Sequence, residues 1–534
     1  MSAQPIPGQP IAGQPTPGEH QPRVGLVIGA VAATLLLASL GQTIVSTALP
    51  TIVSDLGGLD HLSWVVIAYL LASTVVAPVY GKLGDLYGRK VVLQVAILIF
   101  LIGAALSAFA SSMTFLIAAR ALQGLGGGGL MVVAMTVVAD VIPPRQRGKV
   151  QGVFGGVFGV STVIGPLLGG FIVEHFSWHW IFLVNLPVGI AALAVIAAAL
   201  PARAERIEHS IDYAGFALLT GSLSAIVLFT SLGGNTFAWT DPMMIGLAVA
   251  APVLLALFVW VESRAKEPVL PLKLFRNNTF VVTNAVGFIV GLAMFGSITF
   301  LPLYLQIAKG VSPTESGLQL LPMMIGLIGA STLSGTIMSR TGHYRWLPIA
   351  STALLVVGLL LLGTMQIATP DWQVGIYMFL VGLGIGPTMS VGVTASQNAV
   401  ERSMVGVATA GTTMFRQIGG SIGISVFGAI FSNRLAAELG GLGGGHAGGS
   451  GAFNRDMIAA LPEPVRETVL NAFASALHPV FFVAAAAGVI AFAVSFLLKE
   501  IPLSNVVRKE PEAEIAAEEA GAAAVAAAPA YPSR

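Results

Sequence analysis

Two arginines lie inside long apolar stretches of the chain, where a permanent positive charge is costly. Arg120 falls in an apolar stretch at about 114–138, and Arg416 falls in one at about 405–432. Such a charge is tolerated when it faces a polar cavity or a partner, and a guanidinium keeps its proton across the working pH range. Both arginines are therefore candidate charged site residues. For Arg120 a second interpretation stays open, namely a structural charge bonded to carbonyls at a helix end.

Groups that could exchange a proton are scarce in these stretches. All 25 acidic residues fall in tails, in loops or at stretch ends, the closest being Asp85, Asp140 and Glu174. We expect Glu174 to be a candidate proton carrier, because pairing with Arg120 would make their affinity depend on its protonation.

Residues 81–90, GKLGDLYGRK, separate two apolar stretches and concentrate charge with glycine. The basic residues must stay in water, so the segment predicts a tight charged turn at a membrane face. Asp85 is also predicted to face the positive N-terminus of a helix. The candidate gate residues are Gly81, Asp85, Gly88, Arg89, Lys90 and Asp140.

A proline flanked by glycines marks the fifth apolar stretch. Gly165-Pro166 is followed after two leucines by Gly169-Gly170. Proline removes one helical hydrogen bond and bends the helix, and the glycines permit a close helix neighbour. A generic kinked helix is the alternative interpretation.

The composition points to a polytopic membrane protein. The 534 residues are 55% hydrophobic and only 10% charged, with a mean hydropathy of +0.85, and so few charges do not cover a soluble protein of this length. The absence of cysteine excludes disulfides and cysteine metal sites, and the net charge of +1 gives no basis for nucleic-acid binding. Without a nucleotide-binding loop or a zinc-spaced His/Glu cluster, we expect no enzyme, no cofactor and no metal.

Fourteen stretches are long and apolar enough to cross a bilayer. They lie at roughly 24–48, 62–80, 91–110, 114–138, 149–173, 179–200, 211–233, 243–261, 279–305, 316–338, 346–368, 373–396, 405–432 and 478–498. Placing both termini in the cytoplasm puts 20 of the 26 Lys and Arg residues in cytoplasmic segments and 4 in external loops. The positive-inside rule therefore predicts cytoplasmic termini.

The first six and the last six apolar stretches resemble each other in sequence. Gly81 and Gly88 correspond to Gly335 and Gly342 at a common offset of 254, and Arg147-Gly148 resembles Val405-Gly406. This repetition predicts two six-helix bundles. The predicted division is a disordered tail at 1–22, a bundle at 23–200, a linker with an inserted transmembrane hairpin at 201–278, a bundle at 279–500 with an external loop at 433–477, and a cytoplasmic tail at 501–534.

Within the external loop, residues 464–477 form an amphipathic stretch. We expect a short helix on the outer membrane surface, with a plain linker as the alternative.

These motifs together resemble a known family. The decapeptide is similar to the loop between helices 2 and 3 of the major facilitator superfamily, and Gly-Pro-x-x-Gly-Gly resembles its antiporter signature, with Ser161 where a first glycine is usual. Residues 178–189 resemble the fourteen-helix drug:proton antiporter branch (EmrB/QacA type), which commonly has arginine at the position of His179. The resemblance covers roughly 24–500. It implies an all-α fold of two six-helix bundles plus a hairpin, and efflux of amphipathic, often cationic compounds by proton antiport.

The first stretch departs from that family at one position. The family pattern Leu-Asp-x-Thr-x-x-Asn-x-Ala-Leu-Pro has its aspartate where this chain has Gly41. In the family this carboxylate is a leading candidate for proton binding, so an uncoupled transporter is one alternative. Two arginines with no carboxylate nearby in the apolar stretches suit anionic or zwitterionic amphiphiles. Export of a lipid or another endogenous amphiphile is therefore a second alternative. A receptor or scaffold that transports nothing is a third.

The remaining expectations concern substrate and setting. The expected partners are a small amphipathic substrate, protons and membrane lipids, and the protein is expected to be a monomer in the plasma membrane. An apolar pocket with sparse polar groups suits polyspecific binding. The candidate cavity residues are Gln42, Thr43, Ser46, Gln123, Asn284, Phe288, Tyr304, Gln319 and Tyr377.

Overall fold

A computed structural model describes residues 24–57, 62–200, 212–234, 237–439 and 462–504. These segments are almost wholly helical and contain no β-strand. The helices are α1 (Val24–Thr43), α2 (Val45–Leu56), α3 (Leu62–Tyr87), α4 (Arg89–Ala108), α5 (Met113–Val141), α6 (Pro144–His175), α7 (Trp180–Leu183), α8 (Asn185–Ala199), α9 (Tyr213–Leu232), α10 (Pro242–Glu262), α11 (Asn278–Leu303), α12 (Pro313–Gln319), α13 (Leu321–Thr341), α14 (Trp346–Leu362), α15 (Asp371–Asn398), α16 (Val405–Leu439) and α17 (Glu463–Ser495).

Among the described residues, 13 helices are long and apolar enough to cross a membrane, and the shorter apolar helix Trp346–Leu362 completes the predicted set. The prediction of an all-α polytopic membrane protein is therefore confirmed. The first span is interrupted for one residue at Ile44, between α1 and α2. We call the membrane face at which α1 begins the Val24 face.

Local chemistry fixes many helix starts. The side chains of Ser112, Asp212, Asp241 and Asn277 each accept a hydrogen bond from a backbone N–H in the first turn of α5, α9, α10 and α11. Such caps satisfy donors that have no partner within the helix.

Two local predictions are wrong. The predicted tight turn does not span residues 81–90, because α3 continues to Tyr87 and α4 begins at Arg89. Gly88 alone makes the reversal, with a φ of +88° that glycine adopts without strain.

Residues 464–477 are not a separate surface helix either, because α17 is continuous and Phe473 packs against Phe431 with ring centroids 5.0 Å apart.

Each end of the chain builds its own apolar core. One core joins residues between Val27 and Leu200, and the other joins residues between Val282 and Leu503. We call α1–α8 the first half and α11–α17 the second half. The hairpin α9–α10 packs on both through a third cluster that includes Leu223 and Val407.

The two halves cross at two equivalent points on the Val24 face. On α3 and α16, a Cβ added at Gly81 would lie 2.6 Å from the Ala410 Cβ and 2.7 Å from the Gly406 oxygen. On α13 and α6, a Cβ added at Gly335 would overlap the Gly148 carbonyl. Only glycine allows such close helix approach. Gly81 thus crosses beside Gly406, and Gly335 crosses beside Gly148. The two crossings are equivalent because the sequence repeat relates Gly81 to Gly335 and Gly148 to Gly406.

Candidate functional site

The Asp85 carboxylate links the two halves beside the first crossing. It accepts hydrogen bonds of 3.0 Å from the backbone N–H groups of Gly406 and Val407, at the start of α16. The Arg89 guanidinium lies 3.0 Å from the same carboxylate. A carboxylate at a helix N-terminus is stabilised by the free N–H groups and by the helix dipole. The structure therefore places Asp85 as the sequence predicts.

Asp140 completes this group of charges. It pairs with Arg89, and Arg402, three residues before α16, lies 3.7 Å from it. We call Asp85, Arg89, Asp140 and Arg402 the gate cluster. Lys90 lies apart from it, because its ammonium donates to the carbonyls of Ala197 and Leu200 at the end of α8. The expectation that Lys90 shares the gate is therefore wrong.

The segment after α17 ties the second crossing. The Leu503 N–H donates to the Gly342 carbonyl, and the Arg145 N–H donates to the Ser504 carbonyl, each at 3.1 Å. The Arg145 side chain also donates to the Ser339 carbonyl at 2.8 Å. Residues 499–504, which we call the strap, thereby hold α13 of the second half beside α6 of the first.

Glu500 anchors the strap. Its carboxylate accepts from the backbone N–H groups of Tyr344 and Arg345, and His343 lies 3.2 Å away. Burial alone would raise the pKa of Glu500, but these hydrogen bonds outweigh it and hold the pKa below its usual range.

Arg120 is sealed inside the first half. It is 0% exposed, and it donates to the carbonyl of Gly41 at 2.9 Å, to that of Val65 at 3.3 Å and to Gln123 Oε1 at 2.7 Å. Its guanidinium also lies 4.4 Å from the ring centroid of Tyr69. The expectation that Arg120 faces a cavity is therefore wrong, and the carbonyl-bonded interpretation describes its contacts.

The pairing expected between Arg120 and Glu174 does not occur. Glu174 is exposed near the end of α6, and no ion pair between the two is formed in the described part of the chain. One Arg120 nitrogen, Nη2, has no hydrogen-bond partner among the residues that the structure describes. The carbonyl of Gly41 thus binds the arginine at the position where the related pattern carries an aspartate.

The Gly-Pro motif of α6 packs on the break of the first span. A Cβ added at Gly165 would overlap the Thr43 hydroxyl, and one added at Gly169 would overlap the Thr47 hydroxyl. A Cβ added at Gly170 would meet nothing within 4 Å. Pro166 lies inside α6. The Thr43 hydroxyl also bonds the Ser161 carbonyl at 3.1 Å. Two of the three glycines therefore allow close packing on the first span.

Arg416 lines a cavity between the two halves. The lining residues are Leu35, Met131, Met135, Gln151, Phe154, Gly155, Phe158, Met389, Val393 and Arg416, with contributions from α1, α5, α6, α15 and α16. The volume of the cavity is about 40 Å³. It therefore holds a few waters at most in this conformation.

None of the predicted cavity residues lines this cavity. Gln123 binds Arg120, Asn284 donates to the Phe280 carbonyl, and the Tyr304 hydroxyl donates to the Gln366 carbonyl. The others lie elsewhere on their helices: Gln42, Thr43, Phe288, Gln319 and Tyr377. The side chain of Ser46 is outside the described residues. Sequence reasoning missed Gln151 and Arg402, although a cation just before the stretch at 405–432 was a usable signal for Arg402.

The chain matches the model of the Major Facilitator Superfamily over residues 31–424. The chain belongs to this superfamily of transporters. The multidrug transporter protein MdtP of Bacillus subtilis is 37% identical over 521 residues, which cover 91% of this chain and 95% of that protein. Multidrug resistance protein 3 of the same organism is 34% identical over 475 residues, covering 86% and 91%. An MFS-type transporter of Mycobacterium tuberculosis, Rv1877, is 42% identical over 485 residues, covering 91% and 71%.

Solved structures confirm the fold. The proton:xylose symporter XylE matches with a TM-score of 0.59 at 13% identity, covering 88% of this chain and 94% of that one. The human organic anion transporter MFSD10 matches with a TM-score of 0.58 at 15% identity, covering 90% and 100%. The protein is thus a multi-pass membrane transporter with the major facilitator fold, as predicted, and it is not an enzyme.

Proposed function

We propose that this protein exports amphipathic compounds from the cell by alternating access, in exchange for protons. The names of the Bacillus subtilis relatives support drug efflux. The observation that carries the proposal is the contact of Asp85 with the start of α16, beside a glycine crossing that is repeated in the other half. It is a junction between the two halves that can be broken and remade as a unit.

The Val24 face is the cytoplasmic face in this proposal. The excess of Lys and Arg at the ends of spans on that side supports this orientation. The gate cluster and the strap then close the cytoplasmic side, and both termini are cytoplasmic. We further propose a monomer in the plasma membrane, with bundles at 23–200 and 279–500 and the hairpin within 201–278.

Proton coupling is the finer part of the proposal. The described spans offer no carboxylate at mid-depth. The candidate carriers are Glu174, exposed at one face, and Asp85 and Asp140 in the gate cluster at the other. Protonation of Asp85 would remove the negative charge that binds the N–H groups of α16, so a proton could release the gate.

Two alternatives rest on specific observations. Gly41 supplies only a carbonyl to Arg120, which favours an uncoupled transporter. Arg416 lines the cavity without an acidic neighbour, which favours export of a lipid or another endogenous amphiphile.

Purified protein in liposomes tests the proposal. Ethidium and a trapped pH indicator report substrate and proton movement together, with Glu174→Gln and Asp85→Asn as variants. A variant that keeps ethidium movement but loses proton movement supports antiport through the carboxylate that it replaces. Ethidium movement without protons supports the uncoupled alternative. Failure to move ethidium or any other amphiphile, in either direction and at any pH gradient, would overturn the proposal.

A further inference from the structure

The cavity at Arg416 carries one charge and one neutral polar side chain. Seven of the other lining side chains are Leu, Met, Phe or Val, and Gly155 completes the wall. The polar members are Arg416 and Gln151, which approach from α16 of the second half and α6 of the first. A ligand bound here would therefore contact both halves.

Both polar members present donors without protein acceptors. Arg416 makes no hydrogen bond or ion pair within the described part of the chain. The Nε2 of Gln151 is buried and has no hydrogen-bond partner in the same part of the chain. Buried donors are normally satisfied, and an unsatisfied one needs an explanation. An acceptor supplied by a ligand would satisfy both.

The sign of the charge decides the class of ligand. None of the lining residues is acidic, so a cationic ligand would meet only the positive charge of Arg416. A carboxylate, sulfonate or phosphate would form charge-assisted hydrogen bonds with the guanidinium, which are about twice as strong as neutral ones. Arg120 offers no comparable site, because it is fully buried and bonded to carbonyl oxygens.

We infer that Arg416 and Gln151 form a subsite for the anionic head group of an amphipathic substrate, with the Met and Phe side chains receiving its apolar tail. The inference rests on the proposed function and assigns its substrate class. At about 40 Å³, the cavity is far below the several hundred cubic ångströms of a usual ligand pocket. The tail therefore enters only when the halves part.

Two matched ligands test the subsite. Octane-1-sulfonate and octyltrimethylammonium share a tail and differ in head-group charge. Binding is measured by calorimetry to full-length protein in nanodiscs of phosphatidylcholine. We expect the sulfonate to bind at least about tenfold more tightly, as a charged hydrogen bond in a dry site would give.

Substitutions test whether the preference for the sulfonate over the ammonium arises at the subsite. Arg416→Gln should abolish it, Arg416→Lys should keep most of it, and Gln151→Leu should weaken the sulfonate several-fold. Arg434→Gln is the control, because Arg434 lies on the same helix but is exposed and pairs with Glu438 at 2.8 Å. Equal binding of the two ligands, or a preference that survives Arg416→Gln, would overturn the inference. A melting temperature equal to that of the wild type verifies that a variant is folded. If Arg416→Gln fails this check, the result for Gln151→Leu decides.

A lipid and a soluble amphiphile share this head-group chemistry. Nanodiscs containing phosphatidylglycerol separate them: competition in the wild type but not in Arg416→Gln assigns the site to a lipid, and no competition assigns it to a soluble amphiphile. Transport in liposomes separates the inference from the proposed function. Transport that does not depend on head-group charge supports the proposed function and overturns the subsite. Preferential binding of the sulfonate without any transport supports the subsite and overturns the proposed function.

Discussion

Asp85 on α3 binds the backbone N–H of Gly406 at the start of α16, joining the two halves of the protein at a distance of 3.0 Å. The same carboxylate receives Val407 N–H and Arg89, so one side chain holds a helix terminus and a guanidinium together. Its side chain is only 3% exposed. The junction is therefore poorly screened by water and depends on the charge of Asp85.

Asp85→Asn should loosen this junction. Each charge-assisted hydrogen bond contributes about 1.5–3 kcal/mol, so the closed arrangement should lose at least about tenfold in population. Because the chain has no cysteine, Met338→Cys, buried at the second crossing, can report opening by its rate of maleimide labelling. The rate should rise about tenfold in Asp85→Asn. In Glu438→Gln, which removes only an exposed ion pair, it should not change; a similar rise there would refute the assignment.

Gly406→Ala should separate the first crossing. A Cβ at this position would overlap the Gly81 carbonyl and lie 2.6 Å from the Asp85 carboxylate. Overpacking of this kind costs about 1–3 kcal/mol, here at the expense of the closed state, so transport should fall at least several-fold. Gly428→Ala on the same helix meets nothing within 4 Å and should transport normally. If the two variants behave alike, the crossing does not limit transport.

Gly335→Ala should repeat this result in the other half. Its Cβ would overlap the Gly148 carbonyl, whereas Gly329→Ala on the same helix meets nothing within 4 Å. The two crossings should therefore give matching losses of transport in liposomes. A loss at Gly406 with none at Gly335 would argue that the halves do not move as equivalent bodies.

The sequence repeat predicted two related six-helix bundles, because glycines at a fixed offset report a backbone constraint that is local to each helix. It did not predict which helices cross. The charge pattern indicated that Asp85 faces a helix N-terminus, but it did not identify the helix, because α16 begins more than 300 residues further along the chain. For Arg120 the sequence left two interpretations open and could not decide between them, because the acceptors on Gly41 and Val65 come from distant parts of the chain. The predicted cavity residues do not line the cavity for the same reason. The position of a polar side chain in an apolar stretch does not indicate which neighbour it faces.

The prediction of a surface helix at 464–477 was wrong for a different physical reason. Its apolar side chains, Phe473 among them, cover the second half rather than lipid, and an amphipathic pattern does not distinguish these two surfaces.

Gly41→Asp tests whether this chain lacks a proton carrier. A Cβ at residue 41 would lie 3.0 Å from the Phe100 ring and 3.5 Å from the Tyr69 hydroxyl, so the ring must shift to admit it, and the Gly41 carbonyl already binds Arg120. We expect proton movement during efflux to appear or to increase several-fold in Gly41→Asp. Gly41→Asn has the same shape without the charge and should behave as the wild type; equal proton movement in both would exclude the carboxylate as the cause.

The strap should make stability depend on pH. Because hydrogen bonds hold the pKa of Glu500 below its unfolded value, the charged group stabilises the fold above the unfolded pKa, and this contribution is lost as pH falls through the folded pKa. Its size should not exceed about 1 kcal/mol, since the carboxylate is partly open to water. Melting temperatures of the wild type and Glu500→Gln should therefore differ at pH 7 and converge as the pH falls below the ordinary pKa range of glutamate. A constant difference would show that the charge of Glu500 contributes nothing.

Reversible cross-linking of the two halves tests the central claim of alternating access most directly. Arg145 and Ser339 are bonded across the second crossing, and Arg145→Cys with Ser339→Cys places two thiols there in a chain that has no others. A short bis-methanethiosulfonate should abolish transport in liposomes, and dithiothreitol should restore it. The same reagent on Arg434→Cys with Glu438→Cys, within one helix, should leave transport intact. Full transport with the halves completely cross-linked would contradict a mechanism in which they separate at the Val24 face.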